Sequence, residues 1–411
     1  MSKDEQSFMV RKAHHERPSM QYAKRVLSIK PSPTLALNAR AKKMQAEGVD
    51  VVNLTCGEPD FDTPIHIKKA AVDALDAGFT KYTLAGGIVE LKDAVIRAID
   101  REQGLKYTRD EIIITPGAKY AIYAAMEAIL NVGDEVIIPA PYLVSYPDQT
   151  LLFESKPVIV ETTEETKFKI TAAQLEGTIT PRSRILVLNS PSNPTGFAYT
   201  EAELSEIARV CVKHNLWVIS DEIYDGIVFD GFKCRSIAAF EGMKERTILV
   251  NGVSKKYAMT GWRMGFAAAN KELIAHMTNI QGQAITNVTS ITQKACIAAY
   301  DGPRIEIDKM VKAFCERRNY IVDQLNRIGM KTLKPEGAFY AFPNVSHFFG
   351  KKFGGMNINS SSDFSEFLLA KANVATVPGS AFGTEGFIRL SYATSMEKIK
   401  EAITRIEKSI I

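Results

Sequence analysis

The chain has 411 residues, of which 45% are hydrophobic and 24% are charged, a composition typical of a folded protein long enough for two domains. No apolar run approaches the roughly 20 residues that a membrane-spanning helix requires, and the net charge of +4 is too small to indicate a nucleic-acid partner. These numbers exclude a disordered chain, a collagen-like repeat and a small scaffold held by disulfides.

Residues 1–30 are a basic N-terminal arm. They hold seven basic and three acidic residues, which accounts for the whole net charge. A mitochondrial presequence is rich in arginine and poor in acids. Because this arm mixes in acids and lacks an amphipathic stripe, we expect a solvated arm. The five cysteines are widely spaced with no Cys-x-x-Cys pair, which indicates reduced thiols, a cytoplasmic location, and neither disulfides nor a zinc site.

From about residue 65 to about 300, strand-like apolar runs alternate with amphipathic helical patterns. The predicted elements are a helix at 90–103, a strand at 112–115, a helix at 118–130, strands at 135–139 and 185–188, a helix at 201–214, and strands at 217–220 and 247–250. This alternation predicts an α/β fold with a mainly parallel sheet covered by helices on both faces. Ligands bind such sheets beyond the carboxyl ends of the strands.

The second part of the chain has a different pattern. Helices predicted at 271–284 and 290–300 precede a long charged amphipathic helix at 304–327. Beyond it, strands predicted at 338–342, 374–377 and 387–391, with helices at 362–371 and 396–408, indicate a smaller α+β unit. The segment 350–362 is rich in Gly, Asn, Ser and Lys, so we expect a mobile loop there.

Asp221 ends the apolar run Trp-Val-Ile-Ser-Asp at 217–221. A carboxylate in this position is costly unless it meets a cation, and a protonated pyridine nitrogen is one such partner. The alternative is an aspartate that caps the next helix. This segment alone leaves both interpretations open.

Lys255 lies in a turn of small residues after the strand predicted at 247–250. Aromatic and apolar neighbours can keep a lysine in such a turn neutral enough to form a Schiff base with an aldehyde. Arg263 follows eight residues later, within Gly-Trp-Arg-Met-Gly, and is placed to clamp a phosphate. The spacing of Ser-Lys with this second motif favours the functional interpretation. We expect the adjacent Lys256 to be a solvated surface residue.

Three further segments have weaker signals when taken singly. Gly117 follows a strand and precedes a helix, an arrangement that offers backbone N–H groups to a phosphate, although any such turn favours glycine. Asn-Ser-Pro-Ser-Asn-Pro-Thr-Gly at 189–196 is a dense turn that by itself indicates only a loop. Arg389 interrupts an apolar strand, and an arginine that faces a core needs an anion such as a carboxylate. A surface-facing arginine is the alternative.

Together these segments resemble fold-type I pyridoxal 5'-phosphate (PLP) enzymes, and specifically the class I aminotransferases of the bacterial-type aspartate aminotransferase subgroup. The resemblance covers nearly the whole chain from about residue 30 and includes the segments at 30–34, 55–64, 81–87 and 141–147. It implies a large PLP-binding domain (65–328) and a small α+β domain built from both chain ends (31–64 plus 329–411), after the arm (1–30). It also implies a homodimer with shared active sites.

The resemblance implies roles for the residues around the cofactor ring. Lys255 matches the lysine that binds PLP and moves a proton between the substrate Cα and the cofactor. Asp221 matches the residue that keeps the pyridine nitrogen protonated, which makes the ring an electron sink. Asn193 and Tyr224 match the pair that hydrogen-bonds the phenolic oxygen of the cofactor.

The resemblance also implies a phosphate site. Gly117, Ala118 and Lys119 match the phosphate-binding turn, and Arg263 matches its charged partner. Tyr82 matches the tyrosine that reaches the phosphate in the neighbouring subunit.

For the substrate, Arg389 matches the arginine that binds the α-carboxylate, and Gly57 and Asn193 match positions beside it. In this subgroup a lysine and a threonine bind the side-chain carboxylate, and they match Lys119 and Thr34. Helix N-termini disfavour cations, which slightly supports a binding role for Lys119.

Two positions depart from the subgroup pattern. Leu143 stands where the subgroup usually has a tryptophan over the cofactor ring. Because leucine packs but has no N–H, one contact to a distal carboxylate is missing. Gly252 stands where many relatives have a serine on the phosphate, so we expect phosphate binding to depend more on Arg263 and the Gly117 turn.

The implied reaction is a ping-pong transfer of the amino group of L-aspartate to 2-oxoglutarate. Three alternatives stay open: prephenate as the keto acid, aromatic or other apolar amino acids as donors, and a PLP-dependent lyase of the same fold. A regulator that uses such a domain as a ligand sensor is disfavoured, because 30 residues before it are too few for a DNA-binding module.

Overall fold

The computed structural model describes residues 22–29 and 33–410, so most of the predicted arm lies outside the described residues. The described helices are α1 (Lys24–Leu27), α2 (Pro33–Ala46), α3 (Ile65–Asp76), α4 (Val89–Gln103), α5 (Ala118–Ile129), α6 (Ser145–Leu152), α7 (Ala172–Thr178), α8 (Glu201–Lys213), α9 (Lys271–Ala284), α10 (Ser290–Asp301), α11 (Ile305–Arg327), α12 (Ser361–Ala372) and α13 (Met396–Ile410). The described strands are β1 (Val52–Asn53), β2 (Ile112–Thr115), β3 (Glu135–Ala140), β4 (Lys156–Glu161), β5 (Ser183–Asn189), β6 (Trp217–Asp221), β7 (Thr247–Gly252), β8 (Gly265–Ala268), β9 (Tyr340–Ala341), β10 (Lys351–Phe353), β11 (Met356–Ile358), β12 (Val374–Ala375), β13 (Val377–Pro378) and β14 (Ile388–Ser391).

The largest sheet has seven strands in the order β2-β8-β7-β6-β5-β3-β4. Strands β4, β3, β5, β6 and β7 run parallel to one another, and β8 runs antiparallel to both of its neighbours. The prediction of a mainly parallel α/β sheet is confirmed. Strand β8, which runs antiparallel to its neighbours, and strand β4 were not predicted from the sequence.

Helices cover both faces of this sheet. In β2, Ile113 packs with residues of α5 and α9 in one apolar cluster, whereas Ile112 and Ile114 pack with α4 and α10 in another. Alternate residues of a strand point to opposite faces, so a strand buried on both sides is apolar throughout. Because β5, β6 and β7 are parallel neighbours, their carboxyl ends lie together at one edge of this sheet.

Helix α4 has the apolar periodicity from which its position was predicted. Its buried residues Leu91, Ala94, Val95, Ala98 and Ile99 recur every three or four positions, which places them on one face of an α-helix. Helix α8 begins with a capping box, in which the Thr200 hydroxyl accepts from the Glu203 N–H and the Glu203 carboxylate accepts from the Thr200 N–H. Both helices lie within two residues of their predicted bounds.

A third apolar cluster joins residues from both ends of the described chain. It includes Val52 and Leu54 from the N-terminal side and residues of α11, α12 and α13. Strand β1 pairs in parallel with β12, and β13, β14 and β9 form an antiparallel sheet. Residues from about 50 to 54 therefore pack with the C-terminal part of the chain.

Three predictions in the C-terminal part were wrong in detail. The strand expected at 374–377 is two strands, because the chain leaves its pairing with β1 after Ala375 and pairs with β14 from Val377. The strand expected at 338–342 pairs only at Tyr340–Ala341. The mobile loop expected at 350–362 is mostly the antiparallel hairpin β10–β11 with a Gly354-Gly355 turn, followed by the start of α12.

Among the described residues, no helix is long and apolar enough to cross a membrane. All five cysteines are free thiols. The described part of the chain holds no cluster of three or more His, Cys, Asp or Glu side chains arranged to bind a metal ion.

Candidate active site

A cavity of about 450 Å³ opens beyond the carboxyl ends of β5 and β6, where Asn189 and Asp221 line it. This volume lies within the usual range for small-molecule sites. The cavity brings together the sequence-predicted residues Gly57, Ala118, Lys119, Leu143, Asn193, Asp221, Tyr224, Lys255, Arg263 and Arg389. Residues from distant parts of the chain thus share one site.

Lys255 lies in the turn after β7, and its Nζ donates a hydrogen bond to the carbonyl oxygen of Gly57 at 2.5 Å. Burial lowers the pKa of this amine to about 8, and the nearby guanidinium groups of Arg389 and Arg263 act in the same direction. Lys255 is therefore still mainly protonated at pH 7, but its neutral fraction is much larger than that of a solvated lysine. The neutral amine is the nucleophilic and proton-accepting form.

Asp221 is the last residue of β6 and is only 3% exposed. Its Oδ2 accepts a hydrogen bond from the Tyr146 hydroxyl at 2.7 Å, and its Oδ1 accepts one from the Ile223 N–H at 3.2 Å. Burial raises the pKa of the Asp221 carboxyl, and the bond from Tyr146 acts against that rise. A cation in the cavity would stabilise the ionised form further.

Arg389 is 2% exposed and is held from two directions. Its Nη1 donates to Oδ1 of Asn193 at 2.8 Å, and its Nη2 donates to the carbonyl oxygen of Thr55 at 2.7 Å. Its Nε–H is buried and has no hydrogen-bond partner among the described residues. Because buried donors are normally paired, the unpaired Nε–H indicates a guanidinium that can bind an anionic ligand.

Tyr224 is buried beside Asp221, three residues further along the chain. Its hydroxyl lies 2.8 Å from the hydroxyl of Tyr340. Both tyrosines line the cavity, together with Asn193 and Leu143. The phenol of Tyr224 thus faces the same space as the Lys255 amine, whose Nζ lies 5.9 Å from the Tyr224 ring centroid.

An anion-binding corner is formed where α5 begins. Gly117 is the N-cap residue of α5, so the first N–H groups of the helix face this corner. The Arg263 side chain lies against it, and a Cβ on residue 117 would be 2.5 Å from Arg263 Nη2. Burial and the charge of Arg263 lower the pKa of Lys119. The guanidinium of Arg263 and a helix N-terminus at one place suit a phosphate.

Gly252, the departure noted in the sequence, is required by a close approach. A Cβ on this residue would lie 2.8 Å from the Cα of Gly265 and 2.8 Å from the carbonyl oxygen of Met264. Strands β7 and β8 are therefore too close at this point to accept the side chain of a serine. The glycine follows from the packing of the two strands.

Tyr82 and Thr34 are two further residues that the sequence predicts for the site. Tyr82 is 87% exposed on the surface of this chain. Thr34 belongs to α2, but its side chain lies outside the described residues. Neither placement tests the role that the resemblance implies for these residues.

The expectation that Lys256 is a solvated surface residue was wrong. It is 5% exposed and forms an ion pair with Glu102 of α4. Its aliphatic stem runs along the backbone of Gly226, where a Cβ would lie 2.6 Å from Lys256 Cδ. Lys256 is buried because its amine pairs with the carboxylate of Glu102 in α4, whereas the Lys255 amine faces the cavity.

Several residues that shape the site were not predicted from the sequence. Tyr146 holds Asp221, and it lies in the quoted segment 141–147, which was a usable signal. Tyr340 and Asn189 line the cavity, and the Asn189 amide donates to the Asp221 carbonyl oxygen at 2.9 Å. A tyrosine in an apolar strand carries no signal of this kind, so Tyr340 was found only from the structure.

Comparisons with known proteins identify the family of this chain. The chain is 46% identical over 390 residues to an aspartate aminotransferase of Bacillus sp. (strain YM-2), covering 94% of this chain and 98% of that protein. It is 48% identical over 386 residues to a probable aspartate/prephenate aminotransferase of Rickettsia bellii, covering 93% and 97%. The crystal structure of the Rhizobium meliloti aspartate aminotransferase superposes with a TM-score of 0.92 at 46% identity, covering 95% and 98%. The family model for aminotransferase class I and II matches residues 49–406. The chain therefore belongs to the class I and II aminotransferase family and has the fold of the fold-type I aspartate aminotransferases.

Proposed function

We propose that this protein is a PLP-dependent aminotransferase that moves the amino group of L-aspartate to 2-oxoglutarate by a ping-pong mechanism, giving oxaloacetate and L-glutamate. The observation that carries this proposal is the joint presence of Lys255, Asp221 and Arg389 in one cavity. They supply a partly neutral amine, a buried carboxylate and a guanidinium whose Nε–H has no partner in the described part of the chain. Relatives named aspartate aminotransferase support the choice of substrate.

The residues present fit PLP at both of its charged ends. The corner at Gly117 and Arg263 suits the phosphate, because a side chain on residue 117 would fill the space beside the guanidinium. Asp221 would pair with the ring nitrogen, and Asn193 and Tyr224 would hold the phenolic oxygen. When bound, PLP supplies an electron-withdrawing ring that stabilises negative charge at the substrate Cα.

The chain's own residues would orient the substrate and move its proton. Arg389 would bind the α-carboxylate in a bidentate manner, with Asn193 holding the guanidinium in place. The Lys255 amine would accept the Cα proton and return it in the reverse direction, which its lowered pKa favours near neutral pH. The Gly57 backbone, which accepts from Lys255 Nζ, would keep the amine at this point of the cavity.

The distal carboxylate decides the amino acid preference. We assign its binding to Lys119, which lines the cavity, and to Thr34. Leu143 also lines the cavity and adds apolar contact without an N–H donor. This favours a second candidate, a transaminase that also accepts prephenate or aromatic substrates, and the Rickettsia bellii relative is named for both aspartate and prephenate.

We also propose two features of organisation. The chain divides into a small domain (31–64 plus 329–411) and a large domain (65–328), which the β1–β12 pairing and the shared apolar cluster of both chain ends support.

The protein forms a homodimer in which Tyr82 reaches the phosphate of the neighbouring subunit, and the exposed position of Tyr82 supports this. The cytoplasmic location stays a prediction.

The first test is a single half-reaction followed by absorbance. PLP-loaded protein is mixed separately with aspartate, glutamate, phenylalanine and alanine, without keto acid, and conversion of the cofactor to pyridoxamine phosphate is measured. Fast conversion with the two acidic donors is expected. Conversion mainly with phenylalanine or alanine would favour the second candidate, and consumption of substrate without pyridoxamine phosphate would indicate a lyase.

Lys255→Ala and Lys119→Met make this test specific. Lys255→Ala should lose the visible absorbance of lysine-bound PLP and all turnover, and an active variant would refute the assignment of Lys255. Lys119→Met should raise the KM for aspartate roughly tenfold or more, because it removes a charged hydrogen bond, and should change that for alanine little. Equal changes for both donors would remove the proposed role of Lys119.

A further inference from the structure

Tyr340 contacts two residues that line the cavity, Tyr224 and Arg389. It lies in β9, is completely buried and lines the cavity. Its hydroxyl lies 2.8 Å from that of Tyr224, and its ring centroid lies 4.6 Å from the guanidinium carbon of Arg389. Tyr340 therefore contacts both the proposed ligand of the cofactor phenolic oxygen and the proposed ligand of the substrate α-carboxylate.

The direction of the hydrogen bond between the two phenols decides what Tyr224 can do. Each phenol has a single proton to donate, and each hydroxyl has only the other as a partner among the described residues. If Tyr224 donates to Tyr340, no proton is left for a ligand. If Tyr340 donates to Tyr224, the proton of Tyr224 is free to point into the cavity.

The surrounding charges favour Tyr340 as the donor, because the more acidic of two paired hydroxyls donates more readily. The guanidinium of Arg389 lies over the Tyr340 ring and withdraws electron density from that phenol. Burial raises the pKa of both phenols and Arg389 opposes that rise at both, but the charge of Asp221 adds to the rise at Tyr224. Cys56 acts in the opposite direction on Tyr340, but burial raises the pKa of this thiol and so keeps it uncharged.

We propose that Tyr340 is a positioning residue for both ends of the site: its hydroxyl donates to Tyr224 and so directs the Tyr224 proton into the cavity, and its ring supports the guanidinium of Arg389. The proposal rests on the proposed function, since it takes Tyr224 as the ligand of the cofactor phenolic oxygen. Two substitutions separate the two contacts. Tyr340→Phe removes the hydroxyl and keeps the ring, whereas Tyr340→Leu removes both.

The hydroxyl is tested by a pH titration of the visible absorbance of the PLP-loaded protein. A donor to Tyr224 strengthens the hydrogen bond that Tyr224 makes to the phenolic oxygen of the cofactor. Tyr340→Phe should therefore raise the apparent pKa of lysine-bound PLP, read from its absorbance, by a few tenths of a pH unit. It should also weaken PLP binding about two- to threefold. Combined with Tyr224→Phe, the same substitution should add nothing, because its effect passes through Tyr224.

Tyr392→Phe is the matched control. Tyr392 is a fully buried phenol of the same apolar cluster as Tyr340, and its hydroxyl donates to the carbonyl oxygen of Ala338 at 3.4 Å. It does not line the cavity. It should lose a buried hydroxyl without changing the titration or the affinity for PLP. A shift as large as that of Tyr340→Phe would mean that lost packing, rather than a hydrogen bond, moves the absorbance, and would overturn the proposal.

The ring is tested by the affinity of the loaded protein for succinate, an unreactive dicarboxylate. Tyr340→Phe keeps the face under the guanidinium of Arg389 and should leave this affinity unchanged. Tyr340→Leu removes that face and should weaken succinate binding roughly tenfold, the range of a desolvated cation–π contact. Equal affinities of the Phe and Leu variants would overturn this half of the proposal.

Failure of the inference is distinguishable from failure of the proposed function. If Tyr224→Phe shifts the titration and Tyr340→Phe does not, the proposed function stands and the donor role of Tyr340 is wrong. The same conclusion follows if Tyr340→Phe has an equal effect with and without the Tyr224 hydroxyl. If Tyr224→Phe has no effect, the assignment of Tyr224 itself fails and the inference falls with it. The assignment of Lys255 as the lysine that binds PLP is tested separately by Lys255→Ala.

Discussion

The charged form of Lys255 lowers the free energy of unfolding of the cofactor-free protein. Burial lowers its pKa from 10.5 to about 8. The unfolded chain therefore binds more protons between these values, so stability rises as the pH rises from about 8 to about 10.5. We expect Lys255→Met to stabilise the PLP-free protein at pH 7 by up to about 3 kcal/mol, and this gain should shrink toward pH 10.5. Urea unfolding at several pH values measures it, and a gain independent of pH would contradict the cause.

Single residues were predictable where their chemistry conflicts with their surroundings. Asp221 at the end of an apolar strand and Arg389 within one were identified for that reason, and both are buried in the cavity. Lys256 was misjudged because its partner, Glu102, lies more than 150 residues away in the chain. Tyr340 gave no signal, since a tyrosine fits an apolar strand whether or not its hydroxyl has a function.

Helix α4 and the turn after β7 are joined by a buried charge cluster. Lys256 pairs with Glu102, and Asp225, whose Oδ1 has no partner among the described residues, also faces it. Without Lys256, Glu102 keeps its ion pairs with Arg101 and Arg304, but the buried Asp225 loses the cation that it faces. We expect Lys256→Met to destabilise the protein by about 3 kcal/mol and the double variant Lys256→Met with Glu102→Gln to recover part of that loss. The free energy of unfolding in urea is the measurement. No recovery in the double variant would show that Glu102 is not the main partner.

Elements were predictable where local periodicity and local burial agree. Helices α4, α8 and α11 have one apolar face each, and their bounds lie within two residues of the prediction. The segment 350–362 was taken for a loop because its composition is polar. Its hairpin forms through cross-strand pairing, and Phe353 and Met356 pack onto the apolar cluster of the C-terminal part. Composition alone does not report such tertiary contacts.

At the scale of the whole molecule, the alternation of strands and helices was sufficient to predict the class of fold. The position of β8 was not predictable, because Gly265–Ala268 is short, and pairing with β2 and β7 decides that it runs antiparallel. That pairing brings the segment containing Arg263 back to Gly117 at the start of α5. The anion-binding corner of the candidate site therefore depends on sheet order, which sequence periodicity does not specify.

The proposed dimer leads to a test of shared sites. If Tyr82 serves the neighbouring subunit, a hybrid of a Lys255→Ala subunit and a Tyr82→Ala subunit contains one site with both defects and one site with none. We expect the Lys255→Ala homodimer to be inactive, the Tyr82→Ala homodimer to bind PLP more weakly, and the hybrid to regain about half of the unmodified activity per dimer. Coexpression with two different affinity tags isolates the hybrid. If Tyr82 acted within its own subunit, each hybrid site would carry one defect, and the hybrid would be no more active than half of the Tyr82→Ala homodimer.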